Sequence, residues 1–99
     1  MNTTHGKYRT AEYRIWQSMI GRCRNERNPR YMDYGGRGIS VSVRWLDFDN
    51  FFSDMGARPS ASHSIDRKNN DLGYYADNCR WATKQEQNNN QRTNVRIAF

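Results

Sequence analysis

The chain is poor in lysine, has only two cysteines and contains no long apolar run, and each scarcity closes off a class of protein. Mean hydropathy is −1.14, and no stretch approaches the ~18 apolar residues of a membrane-spanning helix. Residues 1–9 lack the apolar segment of a secretory signal, so the expected setting is the cytoplasm, with no membrane partner. Cys23 and Cys79 are too few for a disulfide framework and do not form a C-x-x-C pair, so no structural zinc is expected. Two buried thiols in a reducing compartment is the plain expectation, with a bridge between them left open. At 99 residues the chain is too short for a second independent domain.

Sixteen basic residues stand against ten acidic ones, giving a net charge of +6. Lysine occurs only at Lys7, Lys68 and Lys84, so thirteen of the sixteen are arginine. The planar guanidinium fork suits bidentate contacts to phosphate and guanine, so this bias points to a nucleic-acid surface.

The pattern along the chain is mixed helix and strand. Residues 1–9 read as a flexible basic tail. Thr10 is placed to cap a helix whose apolar stripe is Tyr13, Trp16, Met19, Ile20 and Cys23, with Arg14, Gln17 and Arg24 on the opposite face. Asn25, Asn28 and Pro29 end it. Tyr34-Gly35-Gly36-Arg37-Gly38 then forms a tight loop, whose exposed amides and Arg37 could hold a phosphate. Strict alternation from Ile39 to Trp45 predicts a half-buried strand. Asp47 to Met55 predicts a short helix with Phe48, Phe51, Phe52 and Met55 on one face, stopped by Gly56, and residues 58–62 form an extended linker. His63 to Arg67 and Asn78 to Thr83 read as two strands around a loop rich in Asn, Asp and Gly. Thr83 and Glu86 form a capping box that starts a helix at Lys84, running to about Arg92. Trp16, Trp45 and Trp81 are expected in the core and Tyr75 in packing, while residues 93–99 form a tail or an edge strand.

Asp66-Arg67, Gly73-Tyr74, Asn78, Arg80-Trp81-Ala82-Thr83, Glu86-Gln87 and Asn88-Asn89 together resemble the HNH, or ββα-metal, endonucleases of bacteriophages and mobile elements. Upstream, Arg22-Cys23, the Tyr34 to Ile39 element, Arg44-Trp45 and Asp54-Met55-Gly56 also look like phage proteins of this kind. The resemblance implies a small α+β domain over residues 10–92, with its ββα core at about 62–92. It makes Asp66 the first metal ligand, Gln87 or Asn88 the helix ligand and Asn78 the brace of the loop. An aspartate carboxylate with an amide oxygen is a hard donor set suited to Mg²⁺ or Mn²⁺.

The chain departs from that family where most members carry a general-base His directly after the metal-binding Asp. Arg67 stands there, and a guanidinium stays protonated. Tyr74 is then one candidate for the base, with Arg67 and the ion stabilising its phenolate, and His63 is the other, although strand alternation sets it on the face opposite Asp66. Arg67 would bind the scissile phosphate. Arg14, Arg24, Arg37, Lys68, Arg80, Lys84 and Arg92 would position double-stranded DNA by backbone contacts. The resemblance thus implies a phosphodiester-cleaving DNA endonuclease, in the host cytoplasm if phage-encoded, with a homodimer left open. A DNA-binding regulator or inhibitor that keeps the scaffold without cutting is the alternative.

Overall fold

The computed structural model describes residues 10–89. The tails expected at 1–9 and 93–99, and Arg92 at the end of the last helix, lie outside the described residues. Helix α1 spans Ala11–Arg24, and the Oγ1 of Thr10 accepts from the Tyr13 N–H at 3.2 Å. Met19 and Cys23 are buried, while Tyr13, Trp16 and Ile20 pack against the same core. Asn25 closes the helix, and the side chains of Asn25 and Asn28 accept from the N–H groups of Arg27 and Arg30 at 3.0 and 2.8 Å, the turn chemistry that makes asparagine a helix terminator.

Two 3₁₀ turns follow, Tyr31–Asp33 and Gly35–Arg37. Gly35 lies so close to α1 that a Cβ there would collide with the Cys23 carbonyl and the Tyr31 ring. Gly38, at φ +91°, redirects the chain toward Ile39.

The strand expected from Ile39 to Trp45 does not form. Val41 makes a single parallel bridge with Tyr74, supported by bonds from the Tyr74 N–H to the Ser40 carbonyl (2.8 Å) and from the Ser42 N–H to the Tyr74 carbonyl (2.9 Å). The chain then coils into a 3₁₀ turn at Val43–Leu46, capped by Ser42. Ile39 and Val41 are buried but Val43 is 84% exposed, so the alternation stops marking a buried face after Val41. The backbone beside it offers one rung before turning away at Ala76–Asn78. The turn, not a strand, carries Trp45 into the core, where it is fully buried.

Helix α2, Phe48–Met55, starts at Asp47, whose carboxylate accepts from the Asp49 N–H at 2.9 Å, and ends at Gly56 with φ +68°. Phe48 and Phe51 are buried, and Phe52 and Met55 pack against them. Each indole finds a partner: Trp16 donates to the Trp45 carbonyl (2.8 Å), Trp45 to the Asp54 carboxylate (2.8 Å) and Trp81 to the Met55 carbonyl (2.9 Å). Burying these rings therefore leaves no indole N–H stranded.

Strands β1, His63–Arg67, and β2, Cys79–Thr83, form a two-stranded antiparallel sheet in which Ile65 faces Trp81 and Asp66 faces Arg80. Asn78 belongs to the preceding 3₁₀ turn, so β2 begins one residue later than expected. Helix α3 is described over residues 84–89. Its capping box is reciprocal: the Thr83 Oγ1 accepts from the Glu86 N–H at 3.2 Å, and the Glu86 Oε1 accepts from the Thr83 N–H at 2.8 Å. Helices with a two-stranded antiparallel sheet make this an α+β protein, and among the described residues no helix is long and apolar enough to cross a membrane.

Candidate functional site

The loop between β1 and β2 is held from within by one amide. Asn78, 5% exposed, accepts from the Asn69 N–H through Oδ1 (3.0 Å) and donates through Nδ2 to the carbonyls of Asn69 (3.2 Å) and Gly73 (2.8 Å). A primary amide offers an acceptor and two donors on one planar group, which a carboxylate or an aliphatic side chain does not. Gly73 lets the loop lie against the segment at Ser40, since a Cβ there would collide with the Ser40 carbonyl.

Arg67 adds a second tie. It is 8% exposed, and its Nη1 donates to the carbonyls of Asn70 (2.7 Å) and Leu72 (2.8 Å). Its guanidinium lies over the rings of Tyr34 and Tyr74, 5.3 and 5.2 Å from their centroids. The residue expected to meet a phosphate is thus partly committed to shaping the loop.

Tyr74 is 3% exposed, and its hydroxyl accepts from the Nη2 of Arg22 at 3.0 Å. Burial pushes its phenol above the ordinary range, against an opposing pull from Arg22 and a smaller one from Arg67. The expected lowering by Arg67 is therefore outweighed by desolvation. His63 pairs through Nδ1 with the Ser60 Oγ at 2.8 Å, at the far end of β1 from the loop. Tyr75, expected in packing, is 37% exposed.

Asp66 pairs across the ladder with Arg80, Nε to Oδ2 at 3.1 Å, and Arg80 also donates to the Glu86 carbonyl at 3.3 Å. Arg80, expected on DNA, is thereby engaged at the sheet. Gln87, in the first turn of α3, donates from Nε2 to the Ser64 Oγ (2.6 Å) and the Ala82 carbonyl (3.2 Å), so those bonds leave its oxygen uncommitted. Asn88 is exposed on another face of the helix.

Asp66, Arg67, Tyr74 and Gln87 line one cleft of about 390 Å³. Its opposite wall comes from the 3₁₀ turns, with Arg30, Tyr34 and Arg37. Arg30 pairs with Asp33 at 3.2 Å and Arg37 with Asp71 at 3.4 Å, both at the surface, where such pairs are weak and a polyanion can compete. Arg37 also donates to the carbonyls of Asp33 and Asn70, so it ties the glycine-rich turns to the β1–β2 loop. Arg14, Arg24, Lys68 and Lys84 are exposed but do not line this cleft.

Among the described residues no three His, Cys, Asp or Glu side chains are gathered to hold a metal ion, so an ion here would rest on Asp66 and amide oxygen. With one Asp66 oxygen on Arg80, the other and the Gln87 oxygen are hard donors of the kind a divalent cation that keeps most of its water would take. Cys23 and Cys79 are free and buried, and burial pushes the Cys79 thiol up to about 12.

Arg22, Arg30 and Tyr34 were not among the site residues expected from sequence. Arg22 follows the apolar stripe of α1 at Met19 by three positions, a helical spacing that turns it inward. No family model, curated protein or solved structure matches this chain.

Proposed function

We propose that the chain is a metal-dependent endonuclease of HNH type acting on double-stranded DNA. The carrying observation is that one cleft gathers a carboxylate from β1, an amide from α3 and a wall of arginines. Asp66 and Gln87 would hold Mg²⁺ or Mn²⁺, which when bound stabilises charge on the leaving oxygen of a phosphodiester. Arg30 and Arg37 would seat the phosphate, exchanging weak surface pairs for charge-assisted bonds. Arg67 and Asn78 keep the β1–β2 loop in the shape that presents Asp66. Tyr74, expected as a base, acts in this reading as a positioning residue, because its hydroxyl accepts from Arg22 and burial holds its proton on.

One observation favours a second reading. Neither expected proton acceptor is poised to take a proton in the cleft, since Tyr74 is buried and raised while His63 is paired with Ser60 outside it. A regulator or inhibitor that seats DNA without cutting it fits that arrangement.

Supercoiled plasmid incubated with the protein and Mg²⁺ or Mn²⁺ separates the two. Cleavage is expected to give nicked or linear product, to vanish in Asp66→Ala, and to persist in Tyr74→Phe under conditions where that variant is folded. DNA binding without product in either metal establishes the non-cleaving reading. Loss of cleavage in a folded Tyr74→Phe that binds DNA as wild type does, with Arg22→Lys still cleaving, restores the phenol as the base.

A further inference from the structure

A second cleft, of about 490 Å³, lies between α1 and β1 and shares Tyr34 and Ile65 with the first as a common wall. Its lining residues with charged side chains are all cationic, Arg14, Arg22 and Arg58, and Ser18 and Ser64 add hydroxyls. Arg22 is unusual among them. Its Nη2 bonds the Tyr74 hydroxyl and its guanidinium stacks 4.9 Å from the Tyr34 centroid, but its buried Nε has no hydrogen-bond partner. Arg58 donates from Nη1 to the carbonyls of Ala61 (3.4 Å) and His63 (3.3 Å), while the Glu12 carboxylate is held on its backbone N–H at 2.9 Å and not on its guanidinium. Ser64 links the clefts, because its Oγ accepts from Gln87 of the first.

Guanidinium and hydroxyl donors around one space form a receptor for an oxyanion. Two such spaces side by side suit a chain of phosphates better than a single anion, which would occupy one. We propose that the α1–β1 cleft seats a second backbone phosphate of the same DNA, so that the duplex crosses Tyr34 and Ile65 from the Asp66 cleft onto α1. This rests on the DNA-binding part of the proposed function and not on cleavage. It gives Arg14, already expected on the DNA backbone, a defined subsite, adds Arg58 to it and sets Arg22 at the wall between the two phosphates.

The test measures binding of the full chain to a labelled duplex over a salt series. Ser18 and Gln17 are both exposed on α1, but only Ser18 lines the cleft. Ser18→Glu and Gln17→Glu therefore add the same charge inside and outside it, with circular dichroism confirming that both remain folded. Ser18→Glu is expected to weaken binding about tenfold and Gln17→Glu several-fold less, because like charge repels most at short range. Arg14→Ala is expected to reduce the slope of log K against log salt by ~0.9, the loss of one phosphate contact. Equal effects of the two glutamates, or an unchanged slope in Arg14→Ala, overturn the second subsite; if Arg37→Ala still weakens binding, DNA recognition by the first cleft stands. Displacement of duplex by inorganic phosphate in a Ser18-dependent manner also overturns it, in favour of a free-anion site. A wild-type chain that binds no duplex at any salt overturns both this proposal and the DNA reading beneath it.

Discussion

The two ends of α1 are packed by different means. Near its start, Tyr13 and Trp16 meet Phe48 edge-on at 5.0 and 5.7 Å, and Trp45 meets Phe51 in the same way at 4.9 Å. Near its end, Arg22 lies against Tyr34 and Tyr74, joined over Tyr34 by Arg67 and, at 5.7 Å, by Arg30. The first arrangement packs ring on ring, and the charge at its edge, the Asp54 carboxylate that accepts from Trp45, is matched by Arg44. The second keeps three cations beside one ring, each contact contributing about 0.5–2 kcal/mol and leaving the charge in place. Ring against ring serves stability, whereas guanidinium against ring combines packing with a positive surface. The cleft that holds Asp66 and Gln87 opens on the second kind.

The contrast breaks most severely at Phe51, which is fully buried. Phe51→Ala is expected to cost about 3–5 kcal/mol, the range for deleting a core aromatic, measured by urea unfolding. A loss below about 1 kcal/mol would mean that these rings do not form the stabilising core.

At the arginine end the sensitive point is Asn78. Asn78→Ala is expected to cost about 1–3 kcal/mol, because it strands the loop groups that the amide satisfies. Amide exchange at Asn69 should accelerate, while the amides of α2 keep their protection relative to global unfolding. Unchanged exchange at Asn69 would show that the loop holds its shape without the brace.

Much of this architecture was legible because it is local. The cap at Thr10, the apolar stripe of α1, the phenylalanine face of α2 and the Thr83–Glu86 box each depend on residues within a turn or two of one another. The segment after Ile39 misled because alternation records which residues could face a core, not whether a neighbouring strand is there to pair, and Val43 shows that the pattern outruns the pairing. The Arg22–Tyr74 bond was invisible for a different reason: its partners are 52 residues apart and meet only once the turns at Tyr34 fold back on α1. The family resemblance set Asp66 with either Gln87 or Asn88, and only the folded chain puts Gln87 and not Asn88 in the cleft with Asp66 and ties Asp66 to Arg80 through the strand register.

A smaller effect sharpens the comparison on the aromatic side, where charge is clamped instead of displayed. Arg44 grips Asp54 through two bonds of 2.8 and 2.9 Å, and with Trp45 it holds the Asp54 carboxyl down to about 2 from an ordinary 3.8. A depressed folded value means stability that is present above the ordinary pKa and is lost as pH falls through the folded one. Asp54→Asn should therefore be less stable than wild type at neutral pH, with the gap closing between about pH 4 and pH 2 as the wild-type carboxylate protonates. A gap independent of pH in that window would assign the loss to packing alone.

The most direct test of the contrast is to follow the arginine Nε–H resonances by NMR while a DNA duplex is added. The expected result is that Arg30, Arg37 and Arg22 shift, whereas Arg44, clamped to Asp54, does not. Uniform small shifts across all four, or a shift confined to Arg44, would contradict a phosphate-binding cleft at the arginine end of α1.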